Sequence, residues 1–133
     1  PLTADSTGPL RPTHRRPSGL PSFSESEMDK PYFYVDNVAA LAPDVPADAI
    51  LSRTFYKDDR LSAMVFSFAP GQELSEHTAA VPAIIHILSG RARLTLGEDE
   101  TTAEAGAWVR MEPRLPHAVV AETPVTMLLL MLR

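Results

Sequence analysis

The sequence at residues 71–90 reads GQELSEHTAAVPAIIHILSG, with a glycine at each end and His77 where its polar part gives way to an apolar run. Residues 106–121, GAWVRMEPRLPHAVVA, also begin with glycine and carry His117 near a similar boundary. Short apolar or alternating runs that follow turn residues are typical of β-strands. The two stretches therefore predict two strands that each carry one histidine.

Further strands are predicted on both sides of these stretches. Residues 61–69 and 91–96 alternate between larger apolar side chains and smaller or polar ones, which is the two-residue period of a strand. Only residues 36–42 suggest a helical turn, with Asp36 as its N-cap. The segments that read as strands are 50–56, 61–69, 74–77, 83–88, 91–96, 101–104, 108–111, 117–121 and 126–132. Short strands separated by frequent turns predict an all-β antiparallel sandwich or barrel.

The chain divides into a tail and one domain. Its 133 residues suit a single domain. Residues 1–30 hold five of the 13 prolines and almost no apolar periodicity, so we expect a flexible Pro-rich tail there. Residues 31–133 are expected to form the folded domain.

Composition argues against several classes of function. The net charge is −5, which disfavours nucleic acid as a partner because phosphate binding needs a basic surface. The chain has no cysteine, so thiolate metal sites and cysteine nucleophiles are excluded, and a cytoplasmic location is expected. The longest apolar run, residues 125–132, is far shorter than the roughly 20 residues that span a bilayer, so no membrane association is predicted.

The two histidine stretches resemble the two motifs of the cupin superfamily. Gly71, His77 and Gly90 match the first motif, G-x5-H-x-H-x3-E-x6-G, and Gly106 and His117 match the second, G-x5-P-x-G-x2-H-x3-N. The resemblance covers roughly residues 50–133. It implies a double-stranded β-helix, or jelly roll, that is often a homodimer and often holds one metal ion inside the barrel.

Several motif positions depart from the family pattern. The second histidine and the glutamate of the first motif are Ala79 and Ala83 here, and the glycine of the second motif is Arg114. Of the four usual metal ligands, only His77 and His117 remain. The resemblance therefore implies at most a weakly held divalent ion, Zn, Ni, Fe or Mn, at low occupancy.

Three uses of the two histidines stay open at this point. They could hold a metal or an anion, they could bind a ligand or exchange protons with it, or they could be a structural pair. Glu73 and Ser75 share strand parity with His77 and are candidates for a further contact in the pocket. His86 is expected on the outer face or at a subunit interface, because it lies three residues beyond Ala83, and a place in the ligand pocket is kept as the alternative.

The remaining candidates concern the ligand and the assembly. Arg114 could pair with a carboxylate at the barrel mouth. Ala79 and Ala83 leave space for a small molecule, unless neighbouring methionine and leucine side chains fill it. We expect a small-molecule ligand and consider both a metal-dependent enzyme and a non-catalytic binding protein.

Trp108 is predicted in the core. The run VTMLLLMLR, which is apolar on both strand faces, predicts a homodimer, to which residues 32–34 could add a strand.

Overall fold

The structure, a computed structural model, describes residues 30–133. All but the last residue of the predicted tail therefore lies outside the described part. The described chain forms one 3-10 helix, Val38–Leu41, and nine strands. The strands are β1 (Ile50–Lys57), β2 (Leu61–Phe68), β3 (Glu73–His77), β4 (Ala83–Ser89), β5 (Arg91–Leu96), β6 (Asp99–Glu104), β7 (Trp108–Met111), β8 (His117–Ala121) and β9 (Val125–Leu132).

The strands form two antiparallel sheets that face each other. One sheet has the order β1-β2-β9-β4-β7 and the other β3-β8-β5-β6. Strands that follow one another in sequence often lie in different sheets, as in a jelly roll. The predicted all-β jelly roll is thus confirmed. The chief difference in strand length is at the β5–β6 hairpin, whose turn is tighter than predicted because Asp99 already pairs with Leu96.

The hydrophobic core fills the space between the sheets. Odd-numbered residues of β4 and β9 face inward, and Ile85, Ile87 and Met127 are almost completely buried. From the other sheet, Leu94 and Val119 pack into the same cluster. Because directly paired residues of antiparallel strands share a face, the register lets each remaining side chain be assigned to the inside or the outside of the barrel.

Part of the outer face of the five-stranded sheet is covered by the chain itself. Val65 lies on that outer face, opposite Leu128, yet it is fully buried. The 3-10 helix lies against β2, and the Ser67 hydroxyl donates a hydrogen bond of 2.6 Å to the Pro43 carbonyl oxygen. The segment before β1 therefore forms a partial third layer over β2.

The 3-10 helix differs from the helical turn that the sequence predicts. It begins after Asn37, whose side-chain oxygen accepts a hydrogen bond from the Ala39 amide at 3.1 Å. Asp36 is therefore not the N-cap. Leu41 is the buried residue of the turn, which explains why this short helix is fixed against the sheet.

The other part of the outer face, over β4 and β7, contains Trp108. This side chain is 58% exposed, so its prediction as a core residue is wrong. Trp108 pairs with His86, which faces away from the buried Ile85 and Ile87. The predicted homodimer stays a prediction. Within residues 30–133 no helix has the length and apolar character needed to cross a membrane.

Candidate functional site: the His77–His117 pair

The two motif histidines meet at one end of the barrel. His77 ends β3 and His117 begins β8, and the two residues are direct partners in the antiparallel register. Their ring centroids lie 4.2 Å apart with an interplanar angle of 56°. The prediction that residues forty positions apart in the sequence bring their imidazoles together is confirmed.

A β-bulge in β3 sets the orientation of His77. Leu74 pairs with Val119 and His77 with His117, so β3 uses one residue more than β8 between the two pairs. The extra residue reverses the alternation, and Glu73, paired with Val120, lies on the face opposite to that of His77. The predicted shared parity is therefore wrong for Glu73, and it fails because the bulge interrupts a period of two.

Each imidazole is held by a main-chain carbonyl two residues earlier. Nδ1 of His77 lies 2.7 Å from the Ser75 carbonyl oxygen, and Nδ1 of His117 lies 2.8 Å from that of Leu115. A carbonyl oxygen can only accept, so Nδ1 carries the proton in both rings. In the neutral form, Nε2 then has a free lone pair, which is the arrangement found when a histidine serves as a ligand or a base.

Neither Nε2 atom has a hydrogen-bond partner among residues 30–133. The two residues differ in solvent exposure. His117 is buried, with 6% of its surface exposed, whereas His77 is exposed. One imidazole therefore reaches into the barrel and the other stands at its rim. Two adjacent acceptors, one exposed to solvent and one buried, can bind a group that enters from solvent.

Main-chain hydrogen bonds tie the loops at this end together. The Arg114 amide donates a hydrogen bond of 2.7 Å to the carbonyl oxygen of Ala79, in the loop after His77. In the same loop, the carbonyl oxygen of Pro82 accepts a hydrogen bond of 2.9 Å from the Leu132 amide. The histidine end therefore brings together the β3–β4 loop, the β7–β8 loop and the end of β9.

The wall opposite the imidazoles is apolar. Ala83, at the position of the family glutamate, is buried and lies in register between Met111 and Met131. Met64 and Leu129 form the next pair on the same face, and both are half-buried. Ala83 is thus paired with two methionines, whose side chains adapt readily to an irregular or changing neighbour.

The donor set does not fit a resident divalent metal. Within the described residues, no group of three or more histidine, cysteine, aspartate or glutamate side chains is placed to hold a metal ion. Protein metal sites for Zn or Fe usually supply at least three ligands, including anionic ones in many cases. Two neutral nitrogen atoms supply part of such a set and no charge.

The structure places the other sequence candidates in different positions relative to the pair. Ser75 contributes its carbonyl to His77, while its side chain is exposed. Arg114 is exposed on the β7–β8 loop and has a positive φ of 68°, which explains why the family motif has glycine there. His86 lies on the outer face, as predicted, and so belongs to a different surface from the pair.

Two residues at this end were missed in the sequence. Ser62 is a buried polar residue on the inner face of β2, and its hydroxyl lies 2.5 Å from a terminal guanidinium nitrogen of Arg133. The signal was the inward parity of Met127, Leu129 and Met131, which continues to residue 133. The sequence prediction ends this strand at Leu132, because the apolar run stops there.

Comparisons with known proteins agree with this architecture. A family model described as a cupin domain matches residues 64–132. A conserved protein of unknown function from Streptococcus pyogenes is similar in structure, with a TM-score of 0.68 and 28% sequence identity, over 79% of this chain and 91% of that chain. A cupin superfamily protein from Desulfitobacterium hafniense has a TM-score of 0.69 at 24% identity, over 77% of this chain and 93% of that chain.

A structure with a stated activity is also similar. It is a DMSP lyase from Ruegeria pomeroyi, with a TM-score of 0.54 and 26% identity over 57% of this chain and 40% of that chain. Comparison with curated proteins gave no match.

Proposed function

Since the chain belongs to the cupin family, we propose that it binds a small organic molecule at the histidine end of its barrel. In this proposal, a hydroxyl of the ligand shares its single proton between Nε2 of His77 and Nε2 of His117. The apolar body of the ligand lies against Met64, Leu129 and Met131.

The observation that supports this function is the fixed tautomer of both rings. Each Nδ1–H is committed to a carbonyl of its own chain, at 2.7 and 2.8 Å, and each Nε2 is free within the described residues. A purely structural pair would gain from satisfying the buried ring of His117, because an unpaired buried acceptor costs about 1–3 kcal/mol. A ligand that donates to this atom removes that cost.

A divalent ion is a weak and optional occupant in this proposal. We expect protein purified without chelator or nickel resin to contain well under one equivalent of Zn, Ni, Fe or Mn. Elemental analysis measures this directly. A full equivalent of metal that is lost in His77→Ala would contradict the proposal and favour a metal-dependent enzyme.

The binding test uses methyl para-hydroxybenzoate, a neutral phenol with one strong donor. We expect NMR titration to show shifts next to His117 and a dissociation constant that rises about tenfold in His77→Ala, the effect of one lost hydrogen bond. His86→Ala is the matched control, because it removes the same side chain from the outer face. An equal loss in both variants, or no loss in His77→Ala, would exclude the pair as the binding site.

Proton transfer is a second candidate, and the exposure of His77 beside the buried His117 favours it. A general base needs a free lone pair within reach of its substrate, and both Nε2 atoms offer one. The similar DMSP lyase performs chemistry on a small molecule, although it shares only part of its length with this chain. Deuterium uptake by a panel of small organic acids in heavy water, compared between wild type and His77→Ala, tests turnover.

A further inference from the structure

Arg133 stands at the same end of the barrel as the imidazole pair. Its amide donates to the Arg60 carbonyl oxygen at 2.8 Å, which continues the β2–β9 ladder by one step. Odd-numbered residues of β9 face inward, so the side chain of Arg133 leaves the strand on the inner side. The Leu132 amide donates to the carbonyl oxygen of Pro82, the last residue of the loop that joins β3 to β4, so the end of β9 lies beside that loop.

The guanidinium of Arg133 is held by neutral oxygen atoms. One terminal nitrogen donates to the Ser62 hydroxyl at 2.5 Å and the other to the Asp58 carbonyl oxygen at 3.1 Å. Within the described residues, Arg133 forms no ion pair, whereas Arg91, Arg93 and Arg110 each do. The group is therefore positioned by the protein and keeps unused donors for an anion.

The neighbouring carboxylate of Asp58 is occupied by other donors. Its oxygens accept from the Tyr56 hydroxyl at 2.6 Å and from the amides of Arg60 and Leu61 at 2.8 Å. Hydrogen bonds from Tyr56 and the Arg60 amide hold the pKa of the Asp58 carboxyl group below its usual range, and the guanidinium of Arg133 acts on it through space, without a hydrogen bond between the two side chains. Asp58 thus orients Arg133 through its backbone carbonyl without neutralising it by contact.

We propose that Arg133 anchors the carboxylate of the ligand, and that the natural ligand is a small organic acid with a hydroxyl group. The carboxylate contacts the guanidinium, for which a planar fork of donors is well suited. The body of the ligand crosses the methionine-lined wall, and its hydroxyl donates to the imidazoles. Facing sheets are about 10 Å apart, a span that a small acid and the intervening side chains can bridge. This inference rests on the proposed function of the His77–His117 pair.

Arg114, the arginine that the sequence first suggests for this task, provides a matched control. It lies on the β7–β8 loop at the same end, and it too forms no ion pair among residues 30–133. Arg114→Gln removes a similar charge from the neighbourhood. A general loss of positive potential therefore affects both variants, and loss of a specific anchor affects only Arg133→Gln.

The experiment compares para-hydroxybenzoate with its methyl ester by NMR titration of the 133-residue chain. In wild type we expect the acid to bind about tenfold more tightly than the ester, as one charge-assisted contact provides. Arg133→Gln should abolish that difference and leave ester affinity unchanged, Arg133→Lys should restore part of it, and Arg114→Gln should preserve it. Thermal unfolding by circular dichroism checks that each variant is folded.

The outcomes separate this inference from the function on which it rests. If the acid and the ester bind wild type equally, or if Arg133→Gln leaves their difference intact, Arg133 is not the anchor. His77→Ala should weaken both probes, because both carry the hydroxyl. If it weakens neither, the proposed function itself fails, whatever Arg133 does.

Discussion

At the end of the barrel away from the histidines, one carboxylate holds two arginines, whereas at the histidine end two imidazoles lie 4.2 Å apart with free Nε2 atoms. Glu122 accepts from Arg91 at 2.8 Å and from Arg93 at 3.0 Å, which ties the β8–β9 turn to β5. At the first end, these charged side chains bond to one another. At the second end, the two Nε2 atoms have no hydrogen-bond partner among residues 30–133, which is a common feature of binding sites.

The contrast extends to the backbone. At the end away from the histidines, called the closed end below, the Arg91 amide donates to the Thr123 hydroxyl at 2.9 Å, and a Cβ atom on Gly90 would overlap the Pro124 carbonyl oxygen. At the histidine end the non-glycine residue Arg114 occupies the left-handed region, with φ of 68°. Close packing fixes one end, while the other retains a strained loop next to its free polar groups. Changes to the contacts at the closed end should therefore affect stability, and changes to the imidazole pair should affect binding.

The largest effect is expected from Gly90→Ala. The substitution combines left-handed strain of about 1 kcal/mol with overpacking of about 1–3 kcal/mol against a backbone atom that cannot move freely. The free energy of unfolding, from urea titration followed by circular dichroism, should fall by about 2–4 kcal/mol.

Gly71→Ala is the matched control for that prediction. Gly71 also has a positive φ, 82°, and its amide donates to Ala121 at the same end, yet a Cβ there would contact nothing within 4 Å. Only the strain of about 1 kcal/mol should remain. Equal losses in the two variants would mean that the close approach at Gly90 is not what holds this end together.

A smaller effect on the free energy of unfolding, of opposite sign, is expected from Arg114→Gly at the histidine end. Relief of the positive φ should stabilise the folded state by about 1–2 kcal/mol, and the greater entropy of the unfolded chain should offset about 0.5–1 kcal/mol of this. The free energy of unfolding should therefore rise by about 0.5–1 kcal/mol. Because Arg114 is not the proposed anion anchor, affinity for para-hydroxybenzoate should stay unchanged. A loss of affinity together with the gain in stability would instead assign Arg114 a part in the site.

Much of this architecture could be predicted from the sequence. Strict alternation located β5, and the motif glycines and histidines located β3 and β8, because side-chain period and turn chemistry are local properties. The convergence of His77 with His117 followed from the family resemblance, since no local pattern links residues in different strands.

The parts that could not be predicted depend on long-range packing. The bulge in β3 was hidden because Ser75 and Glu76 are both polar and exposed, so the alternation carries no signal there. Trp108 was assigned to the core by its size, although pairing with β4 fixes it on the outer face. The contact between Ser62 and Arg133 joins residues 71 positions apart and is visible only in three dimensions.

The smallest effect is expected from Glu122→Gln, because exposed ion pairs contribute little to stability. Hydrogen bonds from Arg91 and then Arg93 hold the pKa of the Glu122 carboxyl below its usual range. A lowered pKa in the folded state contributes stability above the unfolded-state value of about 4.3, and the contribution disappears as the pH falls through the folded-state pKa. Wild type should therefore have the higher urea midpoint at about pH 7, and the difference should vanish at about pH 2.5. The other carboxylates are common to both proteins and cancel in the comparison. A difference that persists in acid would show that Glu122 acts through packing and that the charges at the closed end are incidental.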